Sequence, residues 1–397
     1  MSKDEAAKRT SGSMSRRDFA RLAGVGAGAA LLAPGMLRAQ ARGVIKIGSI
    51  QPVTGPSAAY GIRARDGGII AADEINAAGG WKDAAGKVWT FELVQSDMAN
   101  DPRQAITLFR QLVGDASVVA AVGPTNSVGF VPLVPVASQI KLPVVGSGSG
   151  APIKEWNAYA CRVNPVASVA VPVMLRKIVA KEKVKTMAII FDQTQDAQAG
   201  DAEVCRNMAK ELGYTVTASE AFRSGDQDFS PQIAKIRSTR PDAIYVAAAT
   251  GDGVKVASQI REAGIDKPMI TGYGSFHDPV YWDGTKGQIK GCYTWLGQDL
   301  NSPTPQLKSF LEKYNKRFPQ DATSFSAFGY DAVFAIVAAV RRAGVPDRDK
   351  VAAALASLDV TTPLGTRITI KNPPDGNNQN PSVVVVQVNG RGTYTTV

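Results

Sequence analysis

From Val44 onward the chain alternates between short runs of β-branched and apolar residues and longer stretches whose apolar residues recur at helical spacing. Val44 to Ile50 is one such run and ends in the turn Pro52-Val53-Thr54-Gly55-Pro56. Tyr60 to Asn76 then puts Ile62, Ile69, Ile70, Ala72 and Ile75 on a helical period closed by Gly79-Gly80. The unit recurs as strand 89–95 with helix 102–113 and strand 118–122 with helix 127–140, followed by strand 143–145. The second half continues with helix 166–181, strand 186–191, helix 200–212, strand 215–221, helix 230–238, strand 243–246, helix 253–263 and strands 269–271 and 291–296. Helices 306–318, 325–344 and 350–358 follow, then strands 367–370, 383–388 and 394–396, with the Pro-rich polar stretch 372–381 reading as a crossover. Alternation of this kind predicts mainly parallel sheets flanked by helices. At 397 residues the chain is too long for one ordinary core and suits two lobes.

The first 41 residues have a different grammar. Ser15-Arg16-Arg17-Asp18-Phe19-Ala20-Arg21 precedes an Ala- and Gly-rich apolar run, Leu22 to Leu37, and then Ala39-Gln40-Ala41. A basic region, a short apolar core and a small-x-small site make a cleavable export signal, and the arginine pair resembles a twin-arginine signal. Cleavage is expected after Ala41, which places the mature chain in the periplasm. Its seven basic and three acidic residues carry +4 of the net +10, so the remainder keeps +6. No block of five like charges occurs, and Lys181, Lys183 and Lys185 are interleaved with Glu182 and Val184, so a nucleic-acid footprint is not expected. No stretch offers the roughly 20 uninterrupted apolar residues of a membrane span. Cys161, Cys205 and Cys292 are far apart and odd in number, which suits small buried side chains.

Catalytic constellations lack their parts. His277 is the one histidine, so neither a histidine-based metal site nor a nucleophile-histidine pair is supplied by any recognisable spacing. Gly146-Ser147-Gly148-Ser149-Gly150 misses the nucleophile-elbow pattern by one residue, because its centre is Gly148. Gly24-Val25-Gly26-Ala27-Gly28 imitates a dinucleotide fingerprint inside the export signal, with no strand before it. The chain is therefore read as no enzyme, without cofactor or metal, an exported α/β hydrolase being the alternative of another class. What remains is polar, Gly-rich loops after the carboxyl ends of strands, where parallel sheets bind ligands. Ser127 stands just ahead of a helix, where a hydroxyl and orphan N–H groups can meet an anion or simply cap the helix.

Six collinear segments resemble one family. Ile45 to Gly61 (IKIGSIQPVTGPSAAYG), Asp73 to Gly80 (DEINAAGG), Asp101 to Ala105 (DPRQA), Val122 to Ser127 (VGPTNS), Asp228 to Ser230 (DFS) and Gly329 to Val333 (GYDAV) resemble the leucine/isoleucine/valine-binding receptors of ABC transporters. The resemblance implies a two-lobed type I periplasmic-binding fold hinged on three crossovers, with lobes 42–163 plus 295–371 and 164–294 plus 372–397. It implies a receptor that takes a small organic solute between the lobes and hands it to a membrane permease, and a monomer is expected. By position, the solute carboxylate falls to Ser127 and to the loop Ser147, Gly148 and Ser149, with Tyr60 packing on the solute.

The family's tyrosine from the second lobe is replaced by Asp196 or neighbouring Gln195, and its amine-neutralising acid aligns with Tyr273. A buried ammonium without a carboxylate costs several kcal/mol. Asp196 or Asp252 would have to supply one for an amino-acid or amide receptor. Otherwise the expected solute is an aromatic or aliphatic acid lacking an amine, walled by Tyr60, Tyr273, Phe276 and Phe325, with Thr250 also at the cleft. The positions of a disulfide found in some relatives align with Asn100 and Asn126.

Overall fold

The computed structural model describes residues 42–272 and 276–397, which form one compact unit; the expected export signal and Tyr273 lie outside the described residues. The first sheet has the order β2-β3-β1-β4-β5-β6, from strands β1 (Arg42–Gln51), β2 (Trp81–Lys82), β3 (Val88–Asp97), β4 (Val118–Val122), β5 (Val144–Gly146) and β6 (Ala160–Arg162). Only the short β2 is antiparallel. Helices α1 (Ala58–Ala77), α2 (Pro102–Gln111) and α3 (Ser127–Ile140) connect these strands. The chain then crosses to a second sheet through α4 (Ala167–Glu182), β7 (Thr186–Asp192), α5 (Asp196–Leu212), β8 (Thr215–Phe222), α6 (Ser230–Thr239), β9 (Ala243–Ala247), α7 (Thr250–Glu262), β10 (Met269–Ile270), α8 (Pro279–Gly284) and β11 (Tyr293–Leu296).

After β11 the chain returns to the first core through α9 (Pro305–Arg317), α10 (Ser324–Ala343), α11 (Arg348–Ala356) and the hairpin β12 (Asp359–Thr361) and β13 (Arg367–Thr369). It crosses once more to add the antiparallel strands β14 (Val384–Gly390) and β15 (Thr393–Thr396) to the second sheet, whose order is β15-β14-β11-β10-β9-β7-β8. This is the mainly parallel, two-lobed α/β architecture that the alternation predicts.

A central parallel strand is apolar along its whole length because helices cover both faces: β4 is Val118-Val119-Ala120-Ala121-Val122 and every residue is buried. Two differences from the spacing bear on the cleft. Helix α5 begins at Asp196 rather than Gly200, and α7 at Thr250 rather than Gly253. In both cases a glycine reads as a helix start, whereas here Gly200 sits inside the helix and faces the first lobe, a Cβ there lying 3.4 Å from Pro152 Cδ. Glycine also sets the packing of α1 on α10. A Cβ on Gly67 would strike the Ser326 carbonyl, and one on Gly329 the Ala64 carbonyl.

Helix α10 is long and apolar enough to cross a membrane, but 83% of its apolar window is buried inside the protein. Cys161, Cys205 and Cys292 are free and buried, and burial pushes the thiols of Cys161 and Cys205 up to about 12, so they stay protonated. Asn100 and Asn126, aligned with the disulfide of some relatives, are bridged instead by a 2.6 Å hydrogen bond from Asn126 Nδ2 to Asn100 Oδ1.

Asp331, on α10, is buried beside the β12–β13 hairpin, and burial pushes its carboxyl up to about 7, with Thr362 and Thr366 opposing the rise. A raised folded-state value means that the folded protein holds this proton more tightly than the unfolded chain does. Stability from Asp331 is therefore full below the unfolded value near 4 and is lost as the pH rises to about 7. Asp331→Asn is expected to be more stable than the wild type at pH 8, the gap closing toward pH 4, in urea unfolding at both pH values; a gap of equal size at both would contradict this.

Candidate functional site

The carboxyl ends of β1, β4 and β5 leave the first sheet at one edge, and their loops are tied to one another by buried polar bonds. After β4, Gly123 has φ +84°, and a Cβ there would press on Gln51 and the Ile50 carbonyl, so only glycine lets the chain turn so close under β1. The turn delivers Thr125, whose N–H donates to Gln51 Oε1 at 3.0 Å and whose Oγ1 lies 3.3 Å from Ser147 Oγ. Asn126, and not Ser127, is the N-cap of α3: its Oδ1 accepts from Gly129 N–H at 3.3 Å. Ser127 is the first helical residue.

The Ser127 hydroxyl joins α3 to the next loop. It accepts the N–H groups of Gly150 at 3.1 Å and Ala151 at 3.0 Å, and it lies 3.0 Å from Ser149 Oγ. With two bonds accepted and one proton to donate to Ser149, its capacity is filled by this loop.

Behind the loop stands Arg162, at the end of β6 and 1% exposed. Its Nη1 donates to the carbonyls of Ser149 at 3.1 Å and Ala151 at 2.8 Å and approaches Ser149 Oγ at 3.3 Å, while Nε donates to Asn377 Oδ1 at 2.5 Å. Asn164 Nδ2 gives the Ser149 carbonyl a further donor at 2.9 Å. The Gly148 loop is thus fixed from below by a buried cation, which also favours an anion above it. Nothing local in the sequence marks Arg162 or Asn377, 215 residues apart.

Between the lobes these loops meet the N-terminus of α5. Ser57, Tyr60, Thr125, Asn126, Ser127 and Gly148 from the first lobe, with Gln195, Ala197 and Gln198 from the second, enclose about 10 Å³, room for roughly one water molecule. The lobes are therefore shut, and a solute has to part them. Tyr60 stacks on Phe325 with ring centroids 4.5 Å apart, and both rings pack into the second lobe's apolar cluster. Burial pushes the Tyr60 phenol above its ordinary range, and Thr250, at the first turn of α7, opposes the rise. Tyr60 Oη and Thr250 Oγ1 are both buried at the seam, and neither has a hydrogen bond of ordinary geometry.

Of the expected site residues, Tyr60, Ser127 and Gly148 line this space, and Phe325 and Thr250 stand against Tyr60. Ser147 and Ser149 are wholly buried behind it as structural ties. Asp196 points to solvent, because the earlier start of α5 turns Gln195 and Gln198 inward instead. Phe276 lies in the second lobe's core, edge-on to Tyr281 at 5.0 Å. Asp252 is buried but taken, accepting from Gly225 N–H at 3.0 Å and pairing with Lys255 at 3.4 Å. Asp201, one turn beyond Gln198 on the same face of α5, is fully buried beside Gly272 and Tyr245. Spacing alone did not single it out.

His277 is buried, and burial, then the Arg63 charge, pull its imidazole down to about 3, so it is neutral and packed away from the serines. Among the described residues no group of three or more His, Cys, Asp or Glu is placed to hold a metal. A wider groove of about 780 Å³ runs between α6 and α7, lined by Asp228, Arg237 and Glu262 among others, on a helical face away from the strand ends.

A two-lobed α/β protein with its polar loops gathered at one interlobe seam is a solute-binding protein by class, and comparison with known proteins assigns the family. Residues 44–393 match the family model described as periplasmic binding protein, and the chain belongs to that family. It is 27% identical over 326 residues to the leucine-, isoleucine-, valine-, threonine- and alanine-binding protein of Pseudomonas aeruginosa, covering 81% of this chain and 84% of that one. Two solved structures are similar at a TM-score of 0.78. One is a leucine-binding protein of Thermotoga maritima, 26% identical and covering 89% of this chain and 97% of its own. The other is a branched-chain amino acid transporter substrate-binding protein of Streptococcus pneumoniae in complex with isoleucine, 25% identical and covering 89% and 99%.

Ser127→Ala removes the acceptor of two buried N–H groups. It is expected to destabilise the solute-free protein by about 1–3 kcal/mol in urea unfolding; wild-type stability would show that the loop does not depend on this hydroxyl.

Proposed function

We propose that the protein is the exported solute receptor of an ABC transporter, that it binds an amino acid with a small apolar side chain between its lobes, and that it performs no chemistry on it. The observation that carries this reading is the seam itself, where the N-terminal turn of α3 and the Gly148 loop from one lobe meet Gln195 and Gln198 from the other around one enclosed space. The names of the similar proteins favour an amino acid over the amine-free acid that Tyr273 suggested.

The carboxylate is assigned to the first turn of α3 and the Gly148 loop, where N–H groups and the Arg162 charge both favour an anion. The ammonium is assigned to Asp201, the buried carboxylate one turn behind the cleft-lining face of α5, whose charge is felt at Tyr60. Tyr60 Oη and Thr250 Oγ1 gain partners when the lobes part and reclose on the solute, and Phe325 supplies an apolar wall. The lobes divide at the three expected crossovers, near 163, 296 and 371, the second falling two residues past the expected 294 because β11 (Tyr293–Leu296) lies wholly in the second sheet. Export follows the Arg16-Arg17 signal. Cleavage after Ala41 leaves the fold intact, since β1 begins at Arg42. The mature receptor acts as a monomer on a membrane permease.

Thermal unfolding tests the reading with leucine, isoleucine, valine, alanine and threonine set against benzoate and 4-methylpentanoate. At a hundredfold excess over Kd the true solute is expected to add about 2.7 kcal/mol of stability. A rise in Tm with amino acids only supports the reading; a rise with the amine-free acids only overturns the amino-acid assignment.

A further inference from the structure

Beyond the cleft the lobes meet again, and there the seam is closed by charge. Arg63 lies on α1 of the first lobe, three residues and so one turn past Tyr60. Its Nη2 donates to Asp278 Oδ1 at 2.9 Å, across a sequence separation of 215 residues. Asp278 belongs to the second lobe, where it caps α8 by accepting Val280 N–H at 3.0 Å. The two side chains are 2% and 4% exposed, which makes this the most deeply buried ion pair among the described residues. Arg63 is held on its own lobe by two more bonds, Nε to the Asp321 carbonyl at 3.1 Å and Nη1 to the Ala59 carbonyl at 3.0 Å. One arm of an anchored guanidinium thus reaches over the seam. His277, the neighbour of Asp278, is buried and neutral, and Arg391 extends from the second lobe to within 3.6 Å of Asp321.

We propose that Arg63 and Asp278 form a latch between the lobes, an ion pair present only in the shut form, which sets the ratio of shut to open molecules without touching the solute. The proposal rests on the hinged-receptor reading above. When the lobes part, both charges return to water, so the attraction gained on closing is offset by the desolvation of two ions. A complete, fully hydrogen-bonded pair therefore comes close to balance. It keeps the shut form within reach and still lets it open. An incomplete pair has no such balance, because the shut form then buries one charge alone while the open form solvates it. Affinity for the solute follows the shut fraction. The latch is a positioning device, and neither residue belongs to the solute's own contacts.

The test compares the wild type, Asp278→Asn and the double variant Arg63→Met/Asp278→Asn, in which Asn still caps α8, each carrying fluorophores on cysteines introduced at exposed Lys141 of the first lobe and Lys210 of the second. Lobe closure is read by energy transfer during titration with L-leucine. Asp278→Asn is expected to need about tenfold more leucine or beyond for half-closure, while the double variant, which removes both charges, returns to within about threefold of the wild type. Half-closure of Asp278→Asn at the wild-type concentration overturns the latch. So does a double variant as impaired as the single one, since a merely structural role would not be relieved by the second substitution. If leucine closes none of the three, the amino-acid assignment fails instead. The latch is then judged on closure without solute, where a lower shut fraction in Asp278→Asn supports it and an equal fraction overturns it.

Discussion

A guanidinium withdrawn from water has to find acceptors for a rigid fork of donors, and the carbonyls at the end of a parallel strand have to find donors outside the ladder. Arg162 meets both needs at once. Its bonds to the Ser149 and Ala151 carbonyls fix the loop after β5, and its bond to Asn377 ties that loop to the last crossover of the chain. Asn378 continues the stitching, with its N–H on the Arg162 carbonyl at 3.0 Å and its side-chain amide on the Val163 carbonyl at 3.1 Å. The first and third crossovers are thus one polar structure, and the first lobe's half of the cleft rests on it. Motion between the lobes has to bend around this knot without breaking it.

From that knot the cleft follows. The Ser127 hydroxyl, the Gly150 and Ala151 N–H groups and the Ser149 hydroxyl close a buried network that holds α3 against the loop. Such preorganisation lowers the ordering cost of binding. The second lobe brings a different surface, the amides of Gln195 and Gln198 at the start of α5 and Thr250 at the start of α7. Helix N-termini from both lobes converge on the seam, as parallel sheets require when their carboxyl edges face each other.

Much of the fold was legible because it depends on periodicity. Strand β4 and helix α3 have the bounds that spacing predicts, since a buried parallel strand is apolar at every position and its helix starts at a polar turn. The strands β2, β6 and β12 are two or three residues long and carry no period to detect. At the cleft, what was legible came from chain position, as with Ser127, Gly148 and Tyr60. What was missed came from distant partners. Arg162 acquires its meaning from Asn377, and Arg63 from Asp278, each pair separated by 215 residues. Phe276 sits among glycines and reads as a loop aromatic, yet it fills the second core. Asp196 reads as facing the cleft only if α5 starts at Gly200. One further turn of helix rotates it out to water and brings Gln198 in, with Asp201 behind it.

In the proposed function an amino acid is held at the seam by groups from both lobes. A crystal structure of the mature chain grown with the amino acid that stabilises it most tests this directly. The expected result is a solute whose carboxylate lies over the first turn of α3 and the Gly148 loop, whose ammonium points toward Asp201, and whose side chain lies against Phe325. A solute seated instead in the groove between α6 and α7, or bound to one lobe with the seam unchanged, would contradict the account.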